Sequence, residues 1–337
     1  MIINVKGYHH DYPVHVEHGL LSSIEKGMDT TTPTIIITDD GVPDIHIALV
    51  RKQLEVKHVI AVPAGEQSKS FDSYQHILLE MQKIGVNRSD RVLAVGGGMV
   101  SDLAGFVAAT YKRGLAFSVV PTTLLSMVDA SVGGKVAINT KHAKNSVGTF
   151  YTPESVLIDP LTLETLPKRH FSNGMAEVIK TALIGDADLF EYLKSSKSPM
   201  DLSYIIKASI EVKRRLVEED PLDKGKRSLL NYGHTIGHAI EAHSHYRFLH
   251  GECVAMGMRM MARGKPFERD LIDLLRTFDL EQSYEYDSKA LMKHIREDKK
   301  NKGDHLLVAD VEKPGNGYLR RSKFEELSQA LKGGMHP

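Results

Sequence analysis

Apolar residues in the first half of the chain come in short runs separated by turn residues and amphipathic stretches. Ile2–Val5 and Tyr12–Val16 read as an opening hairpin, Thr34–Thr38 as a β-rich run ending in Asp39-Asp40-Gly41, and His58–Val62 as a further strand. Pro63-Ala64-Gly65-Glu66-Gln67 follows, and then an amphipathic helix from about Ser70 to Ile84. Arg91–Val95 is a short apolar strand running straight into three glycines, and Ala116–Val120 is another, stopped by Pro121. Strands alternating with helices of this length predict a mostly parallel sheet covered on both faces.

After about Pro160 the helical period takes over. It predicts helices over Gly174–Leu183, Leu189–Lys194, Leu202–Glu218, Arg227–Ala242, Glu252–Ala262, Glu268–Phe278 and Ser288–Glu297. The chain therefore reads as an α/β nucleotide-type domain over 1–158 and a mostly α-helical domain over 159–337. A cleft between two such domains is a favoured place for ligands. The methionines from Met256 to Met261 are core filler in this reading, since Met adapts to irregular gaps.

Composition narrows the classes. Lys+Arg and Asp+Glu both number 43, so no net field draws the chain to nucleic acid or a membrane surface. The single Cys253 excludes a disulfide framework and suits a reducing compartment. Its neighbours Val254, Ala255 and Met256 mark it as a buried structural thiol. No run approaches the roughly 18 apolar residues of a membrane span, and the N-terminus lacks the basic-then-apolar order of a signal peptide. The expectation is a soluble, cytoplasmic protein.

Candidate chemistry concentrates between Glu177 and Glu252. Gly-Met-Ala-Glu-Val-Ile-Lys puts Glu177 and Lys180 three apart on one helical face. Asn-Tyr-Gly-His-Thr-Ile-Gly-His-Ala-Ile-Glu puts Asn231, His234 and His238 on one stripe of a helix, and Leu-His-Gly-Glu carries His250 in a short loop. Two imidazoles and a carboxylate would leave a zinc ion with open positions, as catalytic zinc requires. Seventeen histidines in 337 residues make about one such i,i+4 pair by chance, so the pair matters only through its company. Gly233 and Gly237 thin the helix where a ligand could approach, at a cost of roughly 1 kcal/mol each in helix propensity.

Gly96-Gly97-Gly98-Met99-Val100-Ser101-Asp102 follows a strand and opens a helix. Glycines let backbone approach a pyrophosphate, and a helix N-terminus offers free N–H groups and a positive dipole end. The ordinary dinucleotide fingerprint wants a third small residue where Ser101 stands and an acid about 20 residues downstream. Here the nearest acid at a strand end, Asp39, lies upstream.

Longer motifs extend these pieces. Gly-Gly-Gly-Met-Val-Ser-Asp-Leu-Ala-Gly-Phe, Tyr-Lys-Arg-Gly, Val-Pro-Thr-Thr-Leu-Leu-Ser-Met-Val-Asp-Ala-Ser-Val-Gly-Gly-Lys, Lys-Asn-Ser-Val-Gly-Thr-Phe and the metal pieces occur in order from about Pro63 to Glu252, and Asp298-Lys299-Lys300 continues them. This set resembles 3-dehydroquinate synthase, a sugar phosphate cyclase of the shikimate route. The resemblance implies conversion of 3-deoxy-D-arabino-heptulosonate 7-phosphate to 3-dehydroquinate and phosphate. The expected steps are transient oxidation by NAD at C5, β-elimination of phosphate, re-reduction, ring opening and intramolecular aldol closure.

By the same resemblance Glu177, His234 and His250 hold one divalent metal, zinc or cobalt, and His238 serves proton work or substrate contact. Lys135, Lys180, Lys213 and Arg227, with Asn145 and Asn231, match positions that hold the anionic substrate. Asp129 and Asp223 join them, and Lys299 or Lys300 would approach from the C-terminal domain. Arg113 matches an arginine that relatives extend across a homodimer interface. Cofactor positions map to Asp39, Glu66, Lys69, Gly97, Gly98 and Asp102, then to Thr122, Thr123, Asp129, Lys135 and Lys144, with Thr162 and Thr165 closing the surface. Thr122 and Thr123 could equally be caps for the following helix.

This chain departs from the family pattern at Ser101, where glycine is usual and NAD binding could weaken. At Asp223 the usual residue is glutamate, so the reach is shorter. The stretch from Met28 to Ile60 is also less family-like. Competing readings are a glycerol-dehydrogenase-type metal-dependent alcohol dehydrogenase, a cyclase acting on another sugar phosphate, and a non-catalytic nucleotide-binding subunit. The Ser-Val-Gly-Gly-Lys and Lys-Asn stretches suit a phosphorylated acid, and Arg227 and Asn231 suit its carboxylate.

Overall fold

Three consecutive isoleucines, Ile35, Ile36 and Ile37, are fully buried. A strand covered on both faces buries consecutive β-branched residues this way. That strand belongs to a seven-stranded sheet in the computed structural model, which describes residues 1–141, 143–195, 199–281, 283–298 and 305–331. The chain forms two compact units, Met1–Pro167 and Lys168–Pro337.

The first unit contains β1 (Ile2–Val5), β2 (Tyr12–Val16), β3 (Thr34–Asp39), β4 (Val56–Val62), β5 (Arg91–Gly96), β6 (Ala116–Pro121), β7 (Lys135–Ile138), β8 (Val147–Phe150) and β9 (Ser155–Ile158). Its helices are α1 (Asp44–Arg51), α2 (Phe71–Lys83) and α3 (Gly98–Thr110). The sheet order is β1-β2-β9-β6-β5-β3-β4. The expected hairpin is present, pairing Ile2 with His15 and Val5 with Tyr12. All other ladders of this sheet are parallel. Leu20, Leu21, Ile36, Leu93, Val95, Val120 and Leu157 form one buried cluster against it. Ser70 caps α2 by accepting from the Ser73 N–H at 3.2 Å, so the predicted helix starts where its cap dictates.

From β3 the chain passes to β4 on one side, and β5 then pairs on the other side of β3. This reversal is a topological switch point, and ligands of open α/β sheets bind outside the carboxyl ends of the strands there. Asp39 ends β3 and Gly96 ends β5, so both lie at that edge. The antiparallel pair β7–β8, which the periodicity did not announce, carries Lys135 at its start.

The second unit contains α4 (Lys168–Gly185), α5 (Ala187–Ser195), α6 (Leu202–Glu219), α7 (His234–His243), α8 (His250–Met261), α9 (Glu268–Thr277), α10 (Ser288–Asp298) and α11 (Phe324–Leu331). It also holds an unforeseen hairpin of β10 (His305–Lys313) and β11 (Asn316–Lys323), turned at Gly315 with φ 81°. Cys253 is buried in α8 among Val254, Ala255, Met256 and Met258, as expected of a structural thiol. Among the described residues no helix is long and apolar enough to cross a membrane.

Two local expectations need correction. The predicted single helix over Arg227–Ala242 is broken. Lys226–Asn231 forms a 3-10 turn, Gly233 adopts φ 78°, and α7 begins at His234. Asn231 therefore does not share a helical stripe with His234 and His238. Nor do the glycines leave room for a ligand. A Cβ at Gly233 would stand 2.8 Å from Val254 O, and one at Gly237 would stand 2.9 Å from Cys253 O. They let α7 and α8 touch backbone to backbone.

Candidate active site

The α7–α8 approach sets the geometry of the histidines. His234 opens α7, His238 follows one turn later, and His250 opens α8 rather than lying in a loop. One ring nitrogen from each lies within 4.8 Å of those of the other two. Glu177, fully interior on α4, points its Oε1 at them, 3.6 Å from His234 Nε2 and 3.4 Å from His250 Nε2. Ligand atoms about 2.0–2.2 Å from one tetrahedral ion lie roughly 3.3–3.5 Å apart, so these separations fit a zinc-sized cation.

Electrostatics agree with the geometry. Burial alone would raise the Glu177 pKa, but Lys180 and the imidazoles of His234 and His250 outweigh it and hold the carboxyl well below its ordinary range. Neither Glu177 oxygen has a directed hydrogen bond, although Lys180 Nζ sits against Oε2. A buried carboxylate with Oε1 turned toward two imidazoles accords with a cation site. His234 is pushed well below its usual pKa by burial and by Lys180, which keeps its ring neutral. His250 is also desolvated, but Glu177 and Glu241 outweigh that and raise it to about 9. Ionised Glu177 and neutral His234 are in the forms that bind metal, whereas His250 would give up its proton to a bound cation.

The ring orientations are fixed from behind. His234 Nδ1 lies 3.2 Å from Tyr232 O, so an Nδ1–H donating there leaves Nε2 with its lone pair toward Glu177. The start of α8 is tied down by Glu252, whose Oε2 accepts from the Leu249 N–H at 2.8 Å. The Arg169 guanidinium grips both Glu252 oxygens, at 2.7 and 2.8 Å. Asn173 Oδ1 accepts from the Gly251 N–H at 2.6 Å. The sequence reading gave no role to Arg169, Asn173, Glu241 or Glu252. Glu241 did carry a signal, since it lies seven residues past His234 and three past His238 on one helix.

The other proposed substrate residues of this unit sit on neighbouring elements. Lys180 is buried on α4 and Lys213 on α6, and Arg227 is buried in the 3-10 turn, where Nη1 donates to Pro221 O at 2.9 Å. Asp223 has φ 54° and accepts from Ser228 Oγ at 3.4 Å, while Asn231 is exposed. Lys299 and Lys300 lie outside the described residues.

In the first unit, the glycine turn precedes a helix that has no side-chain cap at Gly97, so its first N–H groups face outward at the sheet's carboxyl edge. That donor set fits an anion. Ser101 is buried and its hydroxyl turns back to Gly97 O at 3.2 Å and toward Ser126 Oγ at 3.4 Å, away from the helix end. Lys69, also buried, joins three expected residues. Its Nζ contacts Asp102 Oδ2 and Asn145 Oδ1 and lies 3.8 Å from Glu66 Oε1. Asn145 takes φ 53° to reach this position.

Asp39 accepts from the Gly41 N–H at 2.8 Å. Thr122 is buried beside the turn and its N–H donates to Gly96 O at 3.0 Å. Thr123 Oγ1 accepts from the Ser126 N–H at 3.2 Å, so it does act as a cap. Asp129 lies in a π-helical turn over Ser126–Ala130, a local form frequent at functional sites. Lys135 is exposed and Lys144 half-buried. Thr162 donates to Asp159 O at 2.9 Å, and Thr165 pairs with His46 Nε2 at 2.8 Å. Arg113 is exposed and, with Lys112, takes a left-handed backbone, φ 66° and 47°.

Comparison with known proteins converges on one family. The family model described as 3-dehydroquinate synthase N-terminal matches residues 59–173, and 3-dehydroquinate synthase C-terminal matches 174–301. A 3-dehydroquinate synthase of Enterococcus faecalis is 40% identical over 96% of this chain and 96% of its own length. One of Streptococcus gordonii is 38% identical over 98% of this chain and 100% of its own. Among solved structures, 2-deoxy-scyllo-inosose synthase complexed with carbaglucose-6-phosphate, NAD+ and Co2+ superposes with a TM-score of 0.87 at 28% identity, covering 99% of this chain and 100% of that one. A carboxylate facing three clustered imidazoles, an uncapped glycine turn at a switch point, and two family models meeting at residue 173 point the same way: the chain belongs to the 3-dehydroquinate synthase family.

Proposed function

We propose that the chain converts 3-deoxy-D-arabino-heptulosonate 7-phosphate to 3-dehydroquinate and phosphate, a phosphate-eliminating lyase and cyclase dependent on NAD and one divalent metal. The observation that carries this is the buried Glu177 carboxylate facing His234 and His250 in a chain 40% identical to a relative of that name. When bound, NAD would take up and return a hydride at C5, and zinc or cobalt would draw electron density from the C4 and C5 hydroxyl oxygens.

The chain's own residues do the rest. Glu177, His234 and His250 hold the metal, and Lys180 balances the Glu177 charge from within the same helix. His238, exposed but clustered with His234 and His250, is placed to move a proton to or from substrate. Lys213 and Arg227 are buried cations, and together with Asn231 they suit the carboxylate and phosphate of the substrate. In the first unit the uncapped start of α3, Gly97, Gly98, Asp102, Lys69 and Glu66 suit the dinucleotide, with Asp39 on its ribose. Two successive non-glycine residues in the left-handed region cost of order 1–3 kcal/mol each, strain that presents the exposed Arg113 outward. That supports its use across a homodimer interface. A cytoplasmic setting accords with the lone buried Cys253.

A second reading, cyclisation of a different sugar phosphate, is favoured by the inosose synthase likeness. Arg227 and Asn231, fitted to a substrate carboxylate, weigh against it. Phosphate release should be measured from the heptulosonate phosphate and from a hexose 6-phosphate, with and without NAD and a chelator. Release only from the heptulosonate phosphate, abolished by chelation, is expected. Preference for the hexose phosphate, or turnover without metal, would overturn the assignment.

A further inference from the structure

The two imidazoles assigned to the metal are anchored by different acceptors. Behind His234 stands a neutral group, the Tyr232 carbonyl. Behind His250 stands a charged one. Glu241 Oε2 lies 3.6 Å from His250 Nδ1, while the opposite nitrogen, Nε2, lies 3.4 Å from Glu177 Oε1. His250 is therefore bracketed by one carboxylate at each ring nitrogen. Glu241 is itself buried, in the last two turns of α7, and nothing in the assigned reaction uses it.

The two anchors also differ in what they need. The Tyr232 carbonyl lies two residues before His234 and its place follows from the turn into α7. His250 is the first residue of α8 with its side chain one third exposed, so local backbone alone leaves its ring free to rotate. An acceptor on the neighbouring helix would remove that freedom.

We propose that Glu241 is the positioning residue for His250. Its carboxylate takes the Nδ1–H, aims Nε2 at the ion, and adds a negative charge behind the ligand. This rests on the reading of a divalent metal at Glu177, His234 and His250. An outer carboxylate of this kind is typically worth 10–100-fold in metal affinity.

The test is Co2+ titration of the full-length, metal-stripped protein, read by d–d absorption and by competition with a chromophoric chelator. Wild type is compared with Glu241→Gln, which keeps an acceptor and the shape but loses the charge, and with Glu241→Ala. Thermal unfolding of the metal-free proteins checks that all three fold. Glu241→Ala should bind Co2+ 10–100-fold more weakly with an altered d–d band, and Glu241→Gln should recover part of the loss. If wild type binds Co2+ and both variants match it within twofold, the role of Glu241 is refuted while the metal assignment stands. If wild type itself takes up no Co2+, the metal assignment falls and this proposal with it.

Discussion

Gly257 is where one methyl group should disturb the site from a distance. It lies in α8, and a Cβ there would stand 2.0 Å from Gly233 O and 3.1 Å from Gly237 N. Non-bonded carbon contacts settle at about 3.5 Å or more, so Gly257→Ala must push α8 away from α7 by roughly 1–1.5 Å. The obstructing atoms are backbone, and no rotamer change can relieve them. Overpacking of this sort costs about 1–3 kcal/mol, while alanine returns about 1 kcal/mol of helix propensity. The net loss of up to about 2 kcal/mol corresponds to as much as roughly 4–8 °C in Tm for a unit of this size. The effect on the metal should be larger in kind. His250 rides on α8 and His234 on α7, and metal–ligand distances tolerate only about 0.2 Å. Differential scanning calorimetry of the metal-free protein and a Co2+ titration should show a lowered Tm together with affinity reduced about tenfold or more. A variant that melts like wild type and binds Co2+ equally well would show that the glycine contact does not set the ligand geometry.

His234→Ala should lose the metal, whereas His238→Ala should retain it and lose about 10²–10⁴-fold in rate; equal metal loss, by atomic absorption after dialysis, would mean the two roles are wrongly assigned. An inactive Arg113→Ala chain mixed with an inactive Lys180→Ala chain should regain activity in heterodimers, and a well-exchanged mixture that stays dead would confine the arginine to its own subunit. On β10, burial would raise the Asp310 pKa, but hydrogen bonds from Lys265 and Arg320 lower it below its ordinary value. A carboxyl depressed in the folded state stabilises above its unfolded pKa of about 3.9, and the contribution fades as pH falls through the lower folded value. Asp310→Asn should therefore cost about 1–3 kcal/mol at pH 7 and progressively less below about pH 4, read by urea unfolding at each pH. A pH-independent difference would refute the charge argument.

The strands that frame the nucleotide turn were legible because Ile35–Ile37 and Val92–Val95 are apolar in unbroken runs followed closely by turn residues. The cluster of Glu177, His234 and His250 was legible from spacing and family motifs together. The break at Gly233 was not, because helical period runs through it. Only the partner helix shows that its left-handed φ serves a close crossing against Val254 and Met258. The same blindness hid the start of α8. Leu-His-Gly-Glu looks like a loop until Arg169 and Asn173, some eighty residues earlier in sequence, are seen holding its ends. The β10–β11 hairpin was missed although Leu306 and Val308 alternate with exposed His305 and Leu307, since the helical period around it set the expectation.

The central claim is that oxidation and reduction are both internal to a phosphate-releasing cyclisation. Phosphate release and absorbance at the NADH band should be followed together, with the heptulosonate phosphate in large excess over NAD. Many equivalents of phosphate per NAD, with no build-up of free NADH, is the predicted result. A stoichiometric rise of free NADH would contradict it and mark the chain as a plain alcohol dehydrogenase.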